Sequence, residues 1–218
     1  MCLKNSHLLA IAIVSMGLPS AVHAQTVGLR IIGTIVPAAC QLSITNNGVF
    51  DYGNISAAVL RPVEYTVLDS KENSLSIVCD APTHVALRVV DNRSASQVPG
   101  ILNIRENDSD SINFGLGTST GRNIGGYAIK LGSYVGDGVL AYLNSSNDEG
   151  GSWALSKGYL SHTRSIVGVS RTKNSIPGSY INITTTISVQ AVLNKASQLY
   201  LRDKVALDGS ATIELIYL

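Results

Sequence analysis

The chain has 218 residues and a formal net charge of +1, from 16 basic and 15 acidic side chains. That balance argues against a nucleic-acid or acidic-membrane partner, either of which calls for a basic excess. Such a length is also within reach of one all-β domain, and no Pro-rich linker, charge block or fixed-period repeat divides the chain.

The N-terminus reads as an export signal. Lys4 precedes an apolar run over residues 8–18 that is too short to span a bilayer, and Pro19-Ser20 break it ahead of the small-residue cleavage site Val22-His23-Ala24. Residues 1–24 are therefore expected to be removed, leaving residues 25–218 as a single exported domain with no membrane span. Cys2 precedes the apolar run and leaves with the signal. The remaining cysteines, Cys40 and Cys79, favour one disulfide over a metal site, which would need further ligands. His84 and His162 show no ligand spacing with them, and neither metal nor cofactor is expected.

Beyond the signal the pattern is β almost throughout. Short runs rich in Val, Ile, Leu and Tyr cover residues 29–36, 74–79, 85–90, 127–131, 139–143 and 165–169. On this reading Cys40 closes the first strand and Cys79 closes the next, so a bond between them ties two neighbouring strands. Asp91-Asn92-Arg93-Ser94 and Tyr134-Val135-Gly136-Asp137-Gly138 read as hairpin connections, since Asn, Asp and Gly tolerate left-handed backbone. A longer strand alternates strictly, with Ile181, Ile183, Thr185, Ile187, Val189, Ala191 and Leu193 on the core side. Short strands between turn signals indicate a sandwich or barrel. The last strand alternates too, placing Ala211, Ile213, Leu215 and Tyr217 on the inner face before the chain ends at Leu218.

Residues with chemical potential are few. Gly115-Leu116-Gly117 through Gly125-Gly126 lacks the spacing of a phosphate cradle and runs into a strand, so a loop or hairpin is expected. Asp148-Glu149 beside Gly150-Gly151 reads as an exposed turn rather than half of a carboxylate pair. His162 has Ser161 and Ser165 nearby but no orienting carboxylate that spacing places beside it. Trp153, with Tyr142 and Tyr159 nearby in sequence, is a sugar-stacking candidate whose plainer reading is ordinary packing. No catalytic residue is assigned, and the chain is not expected to be an enzyme.

Two stretches carry a resemblance. Gly33-Thr34-Ile35-Val36-Pro37-Ala38-Ala39-Cys40 resembles the first-strand entry of chaperone-usher pilins, and the last ten residues, with their penultimate Tyr217, resemble the last pilin strand. More narrowly, Gly48-Val49-Phe50-Asp51-Tyr52-Gly53, Cys79-Asp80-Ala81-Pro82-Thr83, Asp91-Asn92-Arg93, Phe114-Gly115-Leu116-Gly117 and the C-terminus are similar to DUF1120, a family of fimbrial-like exported proteins. The resemblance implies an immunoglobulin-like, pilin-like β-sandwich lacking its last strand. A periplasmic chaperone lends a strand until another subunit's N-terminal extension replaces it. On that footing Ala211, Ile213, Leu215, Tyr217 and Leu218 border the groove for a chaperone or donor strand, with the Leu218 carboxylate held by the chaperone, and Val27, Leu29 and Ile31 form a donor strand. The implied partners are a chaperone, an outer-membrane usher, other pilin subunits and a host glycan or surface receptor. The implied location is periplasm or cell-surface fimbrium. The sequence departs from the best-known pilins in having Lys204 and Val205 where a glycine is usual, and in a short N-terminal segment. Those departures favour a minor, tip or adaptor subunit over a shaft subunit. The alternative is a soluble periplasmic binding or regulatory protein that does not polymerise.

Overall fold

A computed structural model describes residues 27–35, 39–104 and 110–218. The expected signal, with Cys2 and the cleavage site, lies outside the described residues. The chain divides into two compact units, Met1–Val36 and Pro37–Leu218. In the first, residues 27–35 form no strand, and Val27, Leu29 and Ile31 are 95%, 89% and 89% exposed. The strand expected over 29–36 is thus not formed in its described part, because a strand exists only through its ladder and these residues have no ladder partner among the described residues.

The second unit is all-β, with short 3-10 turns and no α-helix among the described residues. Its strands are β1 (Cys40–Ile44), β2 (Thr66–Val67), β3 (Lys71–Asp91), β4 (Phe114–Gly115), β5 (Thr118–Ser119), β6 (Arg122–Asn123) and β7 (Gly125–Gly136). They continue with β8 (Val139–Leu140), β9 (Tyr142–Ser146), β10 (Ala154–Leu155), β11 (Ile166–Ser170), β12 (Ser179–Leu193) and β13 (Ala211–Tyr217). Cys40 therefore opens a strand rather than closing one.

All but β5 and β6 join one antiparallel sheet that curls into a sandwich-like fold. β3 makes the curl. Its first half pairs with β1 on one side and β12 on the other, and its second half pairs with β13 and β11. The two strands expected over 74–79 and 85–90 are one, because the residues between them, Asp80 to His84, continue the same strand. Pairing with β12 jumps from Val78 to Thr83 across a bulge, so Pro82, which has no N–H to give, falls where no ladder partner is needed.

The inner faces of the two halves meet in one core. Leu75, Ile77, Leu131, Ile183 and Ile187 from the first half pack with Leu143, Val167 and Val169 from the second. β12 alternates as expected from Ile183 onward, but its bulge between Tyr180 and Asn182 brings Tyr180 inside and turns Ile181 outward, 39% exposed. The run over 139–143 is divided between β8 and β9. The β7–β8 hairpin turns on Asp137-Gly138, both at positive φ, as a right-twisted two-residue connection requires. Asp91-Asn92-Arg93-Ser94 is instead a turn leading into a 3-10 segment, since β3 and β4 do not pair.

Candidate functional site

Cys40 and Cys79 lie opposite each other in the β1–β3 ladder and form a disulfide. It fixes the edge strand β1 to β3 close to the point where β3 passes from one half of the sheet to the other. β13 begins its contact with β3 on the far side of that point, at Val85 opposite Tyr217. β1 and β13 thus run end to end along one side of β3. Where they meet, the backbone N–H of Cys40 donates to the Tyr217 hydroxyl at 2.9 Å. Away from that junction they splay, because β3 curls. Neither strand has a ladder partner on its outer side among the described residues.

The splayed edges frame a groove of about 830 Å³. Leu42 and Ile44 line it from β1, Ile213 and Ala211 from β13, and Ile129, Ile187 and Val189 form its floor. Phe50, Tyr52 and Leu207 extend the lining and also border a second hollow of about 730 Å³ that continues past Ile55, Leu60 and Val205. These rim side chains are only partly buried, although they pack against the main core. No charged side chain lines the first hollow among the described residues. Tyr52 pins the loop after β1 in place: its hydroxyl donates to Val189 O at 2.9 Å and accepts from the Ala191 N–H at 3.1 Å. Burial pushes this phenol above its ordinary pKa.

The groove's second wall is anchored by a buried polar corner. Asp91, 8% exposed at the end of β3, accepts from the Arg93 N–H at 2.8 Å, the Gly115 N–H at 3.0 Å and the Gln97 amide at 2.8 Å. Ser96 Oγ donates to Arg93 O at 2.7 Å and accepts from the Gly117 N–H at 2.9 Å. Gly115 admits no side chain, since a Cβ would run into the Arg93 carbonyl and Ser96 Oγ. Arg93 then grips Asp208 with two nitrogens, at 2.9 and 3.1 Å. This contact holds the Asp208 carboxyl below the usual range and pushes the Arg93 guanidinium up. Asp208 stands between Leu207 and Gly209, both on the groove wall. Asp91-Asn92-Arg93 and Phe114-Gly115-Leu116-Gly117, far apart in sequence, are therefore one structural unit.

Of the C-terminal residues expected at the groove, Ala211 and Ile213 line it, while Leu215 packs against the core beyond its closed end. Tyr217 and Leu218 do not line it. Both are about half exposed, at 52% and 51%, because Tyr217 is drawn to Cys40 and the Leu218 N–H donates to His84 O at 3.1 Å. Leu42, Ile44 and Leu207 line it without having been singled out, and Phe50 and Tyr52, quoted only as part of a family-like motif, join them. For Leu42 and Ile44 the alternation of Gln41-Leu42-Ser43-Ile44 directly after Cys40 was the signal.

The remaining chemical candidates are engaged locally. Asp148 accepts from Ser146 Oγ at 2.6 Å and from the Ser152 N–H and Oγ at 2.9 and 2.7 Å, and these bonds draw its pKa down to about 2. His162 packs edge-on against Phe114, with Nε2 3.0 Å from Asp110 O and 3.2 Å from the Gln97 amide nitrogen. Ser161 Oγ faces Thr163 Oγ1 at 2.8 Å, not the imidazole. Trp153 gives its indole N–H to Gly150 O, while Tyr142 and Tyr159 are capped by Lys173 and Lys130. The Gly115–Gly126 stretch holds the small β5–β6 hairpin. Among the described residues no three His, Cys, Asp or Glu side chains gather, and no helix is long and apolar enough to cross a membrane.

Two curated proteins of Escherichia coli K12 are similar along most of their length. The uncharacterized protein YhcF is 26% identical, over 91% of this chain and 93% of its own. Protein GltF is 27% identical, over 87% of each. Within residues 29–128, which hold β1, the disulfide and the Asp91–Gly115 corner, the chain matches the family described as "Protein of unknown function (DUF1120)".

Proposed function

We propose that the chain is a fimbrial-like subunit, of minor, tip or adaptor type, whose groove between β1 and β13 receives an extended strand from another chain. A periplasmic chaperone supplies that strand during passage to an outer-membrane usher, and a neighbouring subunit supplies it afterwards. The row of half-buried apolar side chains along an uncharged slot, flanked by two strand edges that have no outer ladder partner among the described residues, carries this reading. Such edges template a further strand. Three large side chains of that strand, each contributing roughly 1.5–3 kcal/mol on burial, would add stability comparable with that of a typical domain. Val27, Leu29 and Ile31, exposed and spaced by two, are the segment offered to a neighbour. The Cys40–Cys79 disulfide fits an exported chain. The role needs no catalysis.

Thermal unfolding of the exported chain, with and without a peptide of residues 25–35, tests the reading. The chain alone is expected to be marginal and prone to aggregate, and the peptide to raise its midpoint. Ile44→Asp and Ile213→Asp should abolish that rise, and Thr212→Asp should preserve it. A chain that is monomeric, cooperatively folded, stable and indifferent to peptide would overturn it. The self-sufficient periplasmic binding or regulatory protein would then be the better reading, one that the Cys40–Tyr217 contact closing one end of the slot already favours.

A further inference from the structure

The outer face of the first half-sheet carries a second concavity, of about 590 Å³. It cannot be part of the groove. Alternate residues of β12 line the two, Ile187 and Val189 on the inside and Thr186, Ser188 and Gln190 on the outside. Farther along the same outer face, Val192 and Ala128 are covered by Ile101 and Leu102 in a small second core. The hollow begins where that cover ends.

Strand register explains its shape. Ser188 pairs with Glu72 on one side and Lys130 on the other, and Lys130 is bridged to Tyr159. Two strand spacings of about 4.8 Å set the stems of Glu72 and Lys130 about 10 Å apart, with a hydroxyl between them. In the next row Thr186 faces Gly132. Small residues thus form a floor, and long side chains form walls. Lys157 joins the Lys130 wall on a strap held to β7 by Leu131 N–H to Gly158 O at 2.8 Å and Leu160 N–H to Ile129 O at 2.9 Å. Gly158 keeps the strap close, for it sits at φ +96° with the Leu131 carbonyl where a Cβ would go.

The free hydrogen-bonding capacity is divided by side. Thr186 and Ser188 donate to the carbonyls of Gly132 and Lys130, leaving oxygen lone pairs toward the hollow. Gln190 gives one amide N–H to Leu68 O, and its carbonyl oxygen remains as an acceptor. Glu72, Lys130 and Lys157 enter no ion pair among the described residues. One wall therefore presents two ammonium groups, and the floor and opposite wall present acceptors. A polyol bearing a carboxylate matches both: its anion meets the lysines, and its hydroxyls donate to Glu72, Gln190, Ser188 and Thr186. The volume suits a small oligosaccharide.

We propose that this outer hollow binds an acidic saccharide, with Lys130 and Lys157 recognising its carboxylate and Glu72 its hydroxyls. Calorimetric titration of the exported chain with trigalacturonate, and with uncharged maltotriose as comparison, tests it. Trigalacturonate should bind and maltotriose should not. Lys130→Met with Lys157→Met should weaken binding more than about tenfold, as losing a charge-assisted contact requires, and Ser188→Tyr should abolish it by filling the floor. All three substitutions are on the outer face, and an unchanged unfolding midpoint would verify that the fold is intact. Ile213→Asp in the groove should leave saccharide binding unaltered, so this result stands apart from the fate of the strand-complementation reading. Absence of trigalacturonate binding, equal binding of maltotriose, or indifference to the lysine substitutions would each overturn the proposal.

Discussion

The groove rim and the Asp91 corner are adjacent, yet they are finished in opposite ways. At the corner the buried carboxylate is answered from within the chain: three donors converge on Asp91, and Gly115 admits no side chain. Along the rim, Leu42, Ile44, Phe50, Leu207 and Ile213 face a space that the described chain does not fill. A buried polar group without partners costs more than an apolar group left half-wet. A fold can therefore leave its apolar edge for another chain to cover, while the buried carboxylate of this corner is completed within the chain. The corner also holds Asp208, so the complete region positions the incomplete one.

Removing the disulfide should have the largest effect on that relation. Cys40→Ala with Cys79→Ala releases a link between residues 39 apart, and the chain-entropy model gives about 4 kcal/mol of lost stability. It also frees β1, one whole rim of the groove. Urea unfolding measures the loss, and a loss below about 1 kcal/mol would mean that the β1–β3 ladder holds the rim without it. Next comes Gly115→Ala, expected to cost about 3 kcal/mol because its Cβ meets a backbone carbonyl that cannot yield. If the corner does position the groove, this variant should also weaken capture of the 25–35 peptide, although Gly115 does not line it.

Rim substitutions should behave in the reverse manner. Ile213→Asp in the isolated chain is expected to cost only about 1 kcal/mol, since the side chain is already half-wet, but it should eliminate stabilisation by the peptide. Thr212→Asp, one residue away on the exposed face, should do neither within about 0.5 kcal/mol. Equal effects of the two would break the distinction between the faces of β13.

The β character, the β12 alternation and the cysteine pair were legible because each depends on local pattern or on elimination. Residues 29–36 misled for a physical reason: an apolar run specifies a willingness to pair, while the partner lies elsewhere in the chain or outside it. The division of β3 into two runs, 74–79 and 85–90, misled in the converse way: the polar stretch between them is bridged within one strand, and its Pro82 is harmless where the ladder has a gap. Ile181 followed the alternation faithfully until a bulge, which sequence period cannot announce, turned it outward. Of the groove, the β13 side was visible in Ala211 and Ile213. Leu42, Phe50 and Leu207 come from three separate segments, and only the curl of β3 assembles them.

The smallest expected effect sharpens the comparison because it separates satisfaction from burial. The Asp148 loop is organised as the corner is, with Ser146 and Ser152 donating to one carboxylate, but it lies in solvent. Its pKa is drawn to about 2, below the roughly 3.9 of an unfolded aspartate. A carboxyl depressed on folding stabilises its loop fully above about pH 4, and that contribution is lost as pH falls through about 2. The single tryptophan reports on it directly, for the Trp153 indole N–H donates to Gly150 O in the same loop at 3.1 Å. Trp153 emission should therefore change with a midpoint near pH 2, before or alongside global acid unfolding followed by circular dichroism. Asp148→Asn, which cannot lose a charge, should remove the local change and leave the global one. A local transition centred near pH 4 would show that the serine donors do not hold the carboxylate in solution. Burial as well as satisfaction would then be what makes the Asp91 corner rigid.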